Sequence, residues 1–198
     1  DDAGALSMVD AVQSVGQQPI DVTEWDVDFL AGAAHKWLLG PWGAGFLYVD
    51  DSVVDDLSPA HIGSRSVKNA YVDDYEFVDT ASRLEVSTTN PAVYAGLEAA
   101  IDTIEAMGLE TVQAHIHDLT ARFKAGIPDD RLLSPDAFHS GLVTVRVPDP
   151  EATVERLAEE DIVIRSLPLS ESIRLSFHAF NTVEEVERVL DSLESAWE

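Results

Sequence analysis

The chain has 198 residues, 45% of them hydrophobic, and carries 37 acidic against 12 basic side chains for a formal net charge of −25. That apolar share supports a packed core and excludes wholesale disorder, while no apolar run is long enough to span a bilayer. So acidic a surface repels nucleic acid and anionic lipid, and with no cysteine these residues supply no disulfide, zinc–thiolate site or thiol nucleophile.

Residues 1–5 read as the end of a helix and its connection. Residues 6–10 (LSMVD) read as a short buried strand. A second strand is expected over 26–33, built on Val27, Phe29 and Leu30, and a third over 44–49 (AGFLYV). Residues 50–82 are polar and lack periodicity, as functional loops and interface segments do. Asn90 and Pro91 open a helix that runs through 92–107, and Gly108 stops it. The next helix, Leu109–Ala125, spaces Val112, Ile116, Leu119 and Phe123 along one face. Residues 141–147 (GLVTVRV) alternate as a strand, and 150–160 form an acidic amphipathic helix. Strands are expected over 161–165 and 172–177. Thr182 caps a final helix, with Glu185 at capping-box spacing. The pattern predicts an α/β portion with a mostly parallel sheet over 1–107, ending in a linker helix. A small α+β portion follows over 108–198, with the break near 108–130.

Chemistry concentrates in the first portion. Asp10 ends the first strand and Gln13 follows in the next turn. Lys36 follows the second strand, directly after His35, and the glycine-rich stretch 39–45 (LGPWGAG) comes next. In open α/β sheets, ligands collect at the carboxyl ends of strands. Pyridoxal phosphate (PLP) chemistry needs such a set. A lysine amine forms a Schiff base with the cofactor aldehyde. A carboxylate keeps the pyridine nitrogen protonated, so that the ring draws electrons. A donor near the phenolic oxygen tunes the linkage, and hydroxyl, backbone N–H or imidazole groups hold the phosphate. Taken singly, Asp10 reads as a helix cap, Lys36 as a solvated lysine and His35 as a structural histidine. The combination favours the cofactor reading. Trp37 and Trp42 read as packing residues around the lysine. His61, His115, His117, His139 and His178 lack ligand-like spacing, so no metal site is expected.

Residues 9–49 (VDAVQSVGQQPIDVTEWDVDFLAGAAHKWLLGPWGAGFLYV) resemble the cofactor-binding core of the class V aminotransferases and cysteine desulfurases, which are fold-type I PLP enzymes. The resemblance implies that Asp10 pairs with the pyridinium nitrogen and Gln13 meets O3′. It implies that His35 contacts the phosphate and Lys36 forms the Schiff base. Residues 83–91 (RLEVSTTNP) resemble the family's Glu-x-Gly-Thr-Pro-Asn segment. That maps Thr88 to a threonine reaching the phosphate of a neighbouring subunit, and so implies a homodimer. Residues 172–182 (SIRLSFHAFNT) resemble the C-terminal strand and helix start, and map Arg174 to the arginine that holds the substrate α-carboxylate. Arg165 is a weaker candidate for the substrate site.

The departures matter too. Ala33 stands where the family often has a phosphate-binding serine, and Ser87 stands where glycine is usual. Desulfurases carry a catalytic cysteine before the arginine strand, and residues 165–170 (RSLPLS) have none. The family's chains begin well upstream, with a half that supplies the phosphate loop and the ring-stacking residue. The sequence therefore reads as the second half of a fold-type I large domain plus a small C-terminal domain. The expected activity is PLP-dependent and directed at an amino acid, with Lys36 moving a proton between Cα and the cofactor's C4′. Transamination is the default outcome. An epimerase or lyase resembling the isopenicillin N epimerase branch, through residues 35–41 (HKWLLGP), is the alternative, and a non-catalytic fragment is a further one. The acids spread from Asp1 to Glu198 against only three lysines, Lys36, Lys68 and Lys124. That spread, with no signal peptide in view, predicts a halophilic cytoplasm.

Overall fold

The computed structural model describes residues 4–168 and 170–194. The helix end expected over 1–5 falls mainly outside that range, and Gly4 and Ala5 are not helical. The chain divides into two compact units, Asp1–Ala106 and Met107–Glu198.

In the first unit, β1 (Met8–Asp10), β2 (Phe29–Ala33) and β3 (Gly45–Val49) form a sheet in that order. β1 and β2 run parallel, with Asp10 opposite Ala31. β3 returns antiparallel, with Phe46 opposite Gly32. Parallel pairing needs a crossover of about a dozen residues or more, and the link over 34–44 is too short to provide one. The expectation of a mostly parallel sheet therefore holds for one of these pairings. Phe46 covers Gly32 so closely that a Cβ there would sit 2.3 Å from the ring, which is the kind of close approach that puts glycine inside a strand.

The expected second strand begins later than 26. A short helix, α1 (Val22–Trp25), precedes it, capped by the Asp21 carboxylate, which accepts from the Thr23 and Glu24 amides. Asp26 ends α1 in the left-handed region at φ 51°, a conformation that short polar side chains tolerate. Asp28 then accepts from the Ser7 amide at 2.6 Å and hydroxyl at 2.9 Å, which sets β1 beside β2. Helix α2 (Pro91–Met107) places Leu97, Val93 and Ile101 against Ala11, Val15, Leu30, Ala34 and Leu38.

The segment over 50–82 contains two 3-10 turns, at Asp51–Asp56 and, at its end, Ala81–Leu84. Arg83, only 5% exposed, holds the segment together. Its Nη1 donates to the Val54 carbonyl at 2.6 Å and its Nε to the Val78 carbonyl at 3.0 Å. Nη2 meets Asp55 at 3.2 Å.

The second unit contains α3 (Leu109–Ala125), β4 (Leu142–Arg146), α4 (Pro150–Glu159), β5 (Arg165–Ser166), β6 (Ser172–Ser176) and α5 (Val183–Leu193). Its sheet runs β4-β6-β5, antiparallel throughout. One face buries Val143, Val145, Ile173 and Leu175 against Leu119, Phe123, Leu157 and Val186. Each such side chain contributes about 2 kcal/mol when fully removed from water. The strand expected over 161–165 shrinks to β5, because Asp161 turns the chain through φ 59°, the Ile162 amide donates to the Leu157 carbonyl instead of a strand, and 162–164 stay outside the sheet. α5 has the expected capping box between Thr182 and Glu185. No helix among the described residues is long and apolar enough to cross a membrane.

Candidate functional site

Because β1 and β2 are parallel neighbours, their carboxyl ends lie at the same edge of the first sheet. Asp10 is exposed at the end of β1, and its Oδ1 accepts from the Val12 amide at 3.0 Å, which turns the chain at once. Gln13 lies in that turn. After β2 the chain turns through 34–40. The Ala34 carbonyl accepts from Gly40 at 2.8 Å, and the Lys36 carbonyl accepts from Leu39 at 3.1 Å. Leu39 takes φ 60° to close the turn. Lys36 and His35 are both half-buried in it. The His35 imidazole stacks on Trp42 with ring centroids 3.9 Å apart and an interplanar angle of 19°.

The two turns touch. Trp37 Nε1 donates to Gln13 Oε1 at 2.9 Å, and Trp37 is 4% exposed. Gly16 closes the first turn at φ 91°, and a Cβ there would lie 2.4 Å from the Trp37 carbonyl oxygen. The sequence reading assigned Trp37 to packing alone. Its pairing with Gln13 crosses 24 positions and follows no local spacing rule, so it had no signal of its own.

The other two predicted residues lie elsewhere. Thr88 is exposed in the irregular stretch before α2. Asn90 caps that helix, its Oδ1 accepting from the Ala92 amide at 3.0 Å. Arg174 is in the second unit, on β6, with Thr144 and Arg165 as its cross-strand neighbours. Its Nε is buried without a hydrogen-bond partner. Two like charges on facing positions destabilise a sheet, and an unsatisfied guanidinium nitrogen adds to the cost. A bound carboxylate would relieve both. Among the described residues no cluster of three or more His, Asp or Glu side chains could hold a metal ion.

The donor set at the first sheet suits PLP chemically. Asp10 offers a carboxylate, Gln13 an amide, Lys36 a primary amine and His35 an imidazole. Ala33 contributes no hydroxyl.

Comparison with known proteins agrees in kind. The family model for aminotransferase class-V matches residues 1–189. A probable cysteine desulfurase of Pyrococcus abyssi is 32% identical over 208 residues, covering 96% of this chain and 52% of that protein. The apo structure of a cysteine desulfurase from Thermococcus onnurineus superposes with a TM-score of 0.89 at 32% identity, covering 98% of this chain and 53% of that one. The cystine C–S lyase C-DES, in complex with its product cysteine persulfide, superposes with a TM-score of 0.82 at 29% identity, covering 91% of this chain and 50% of that one. A variant of the same lyase holds glycine covalently linked to its PLP cofactor. The chain thus spans about half the length of the relatives it matches.

Proposed function

The chain belongs to the class-V aminotransferase family, whose cofactor is pyridoxal phosphate, and we propose that it carries the lysine side of a PLP site that cleaves a carbon–sulfur bond in an amino acid. The observation that carries this reading is Asp10 and Lys36 leaving adjacent parallel strands at the same sheet edge. The choice of lyase over transamination rests on relatives named cysteine desulfurases and a cystine C–S lyase, although one relative of Bacillus subtilis is named an aminotransferase. The choice of a direct elimination rests on composition, because no cysteine among the 198 residues can accept sulfur.

Bound PLP supplies an electron sink for the pair released at the substrate's Cα. In the proposed site, Asp10 keeps the ring nitrogen protonated. In the second unit, Arg174 is the residue suited to a substrate α-carboxylate, since its planar fork can grip one bidentately. His35 holds phosphate. The Lys36 amine would take the proton from Cα as general base. The Cβ–S bond breaks with its electron pair leaving on sulfur, and hydrolysis of the remaining three-carbon unit gives pyruvate and ammonia. Thr88 reaches the phosphate of a second copy, which makes the working unit a homodimer.

The test is to reconstitute the chain with PLP and supply cystine. Pyruvate, ammonia and persulfide sulfur should appear, and Lys36→Ala should abolish all three. Transfer of the amino group to an added keto acid, without pyruvate, would restore transamination as the activity.

A further inference from the structure

We infer that Trp37 is a positioning residue, which fixes the Gln13 amide so that its NH2 end, not its carbonyl end, is the one offered to the cofactor's phenolic oxygen. The inference rests on the reading that Gln13 meets O3′. An indole N–H only donates, whereas an amide has one accepting end and one donating end. With Trp37 Nε1 at 2.9 Å, only the carbonyl oxygen of Gln13 can face it. The NH2 end is therefore the end turned away from the indole.

Burial and two further contacts make this a fixed arrangement. Trp37 is 4% exposed, so its ring has no freedom to swing into solvent. The Gln17 side-chain amide donates to the Gln13 carbonyl, which holds the backbone of the turn. Gly16 brings that turn against the Trp37 carbonyl, where a Cβ would sit at 2.4 Å. Trp37 is also the residue after Lys36, so the same clamp ties the lysine's backbone to the Gln13 turn.

The consequence is electrostatic. A donor to the phenolic oxygen competes with the imine proton for that oxygen's charge. It therefore lowers the proton affinity of the Lys36–PLP linkage. An amide free to flip would sometimes present its carbonyl oxygen, which repels the phenolate and raises that affinity.

The experiment follows the visible absorbance of the PLP-loaded chain against pH. Trp37→Phe keeps an aromatic ring and removes the N–H. Its absorbance midpoint should rise by about one pH unit, the size of one hydrogen bond to a charged group. Gln13→Leu should raise it similarly, and the double variant should rise no further than Gln13→Leu alone. Gln13→Glu keeps an acceptor for Trp37 but has no NH2, and it should rise as well. If Trp37→Phe does not fold by circular dichroism, a β-(3-benzothienyl)alanine at position 37 preserves the ring shape without the N–H. A shift in Gln13→Leu with none in either position-37 variant overturns the inference. No shift in Gln13→Leu, with the band still dependent on Lys36, also overturns it by removing Gln13 from O3′. A band that survives Lys36→Ala, or no band at all, overturns the functional reading and this inference with it.

Discussion

Gly16 and Trp37 meet backbone to backbone: a Cβ on the glycine would lie 2.4 Å from the tryptophan's carbonyl oxygen. No real Cβ approaches so closely, and φ at Gly16 is 91°, where an L residue is strained. Gly16→Ala should therefore cost about 2 kcal/mol or more and separate the two turns that carry Gln13 and Lys36. Urea unfolding at constant salt measures the first effect. Loss of PLP binding in the still-folded variant measures the second. A variant as stable as the parent would contradict the packing.

Arg83 predicts a different failure. Its guanidinium satisfies the Val54 and Val78 carbonyls and Asp55 from a nearly buried position. Arg83→Met removes all three donors and should destabilise the first unit by about 2–3 kcal/mol. Arg83→Lys should recover little of that, because an ammonium cannot reproduce a planar fork aimed at several acceptors. Urea midpoints of the two variants check the ranking.

The charge imbalance predicts salt dependence. With 37 acids against 12 bases, self-repulsion in the folded state is screened as the Debye length shrinks from about 10 Å at 0.1 M to about 3 Å at 1 M salt. The urea midpoint should rise steeply between those salt concentrations. Indifference to salt would remove the halophilic reading.

The last helix predicts a pH effect. Hydrogen bonds from the Asn181 side chain and the Thr182 amide hold the Glu185 carboxyl below the usual carboxylate range. A depressed folded-state value means that the contribution is complete at neutral pH. It is lost as pH falls through that value. Glu185→Gln keeps an acceptor that cannot titrate, so the acid limb of its stability curve should be shallower than the parent's. Thr182→Ala should cost about 1 kcal/mol at neutral pH by removing the other half of the box, and less in acid, because Glu184's own amide and the same hydroxyl also hold the Glu184 carboxyl below the usual range. Urea midpoints at neutral and acid pH, with salt fixed, separate the two variants.

How far the sequence foretold this structure depended on how local each signal was. The helices α2, α3 and α5 were legible because Pro91, Gly108 and Thr182 punctuate them and their apolar spacing is helical. The turn at Asp26 was not, since one residue in the left-handed region leaves no periodic trace, and so the second strand was expected too early. Asp161 hid the shortness of β5 in the same way. At the site, Asp10, Gln13, His35 and Lys36 were legible as strand-end residues before the fold was known. The two backbone turns that bring Gln13 to Trp37 were not, because contacts across 24 positions depend on strand pairing and not on spacing. Arg83 was likewise invisible as a staple, since nothing local distinguishes a buried arginine from a solvated one.

The central claim is that Lys36 is the amine that holds the cofactor. With only three lysines in the chain, the direct measurement is borohydride reduction after PLP loading, followed by peptide mass mapping. The account predicts one phosphopyridoxyl group, on the peptide that contains Lys36, and none on that peptide in Lys36→Ala. A label shared evenly with Lys68 and Lys124, or none on Lys36, would contradict it.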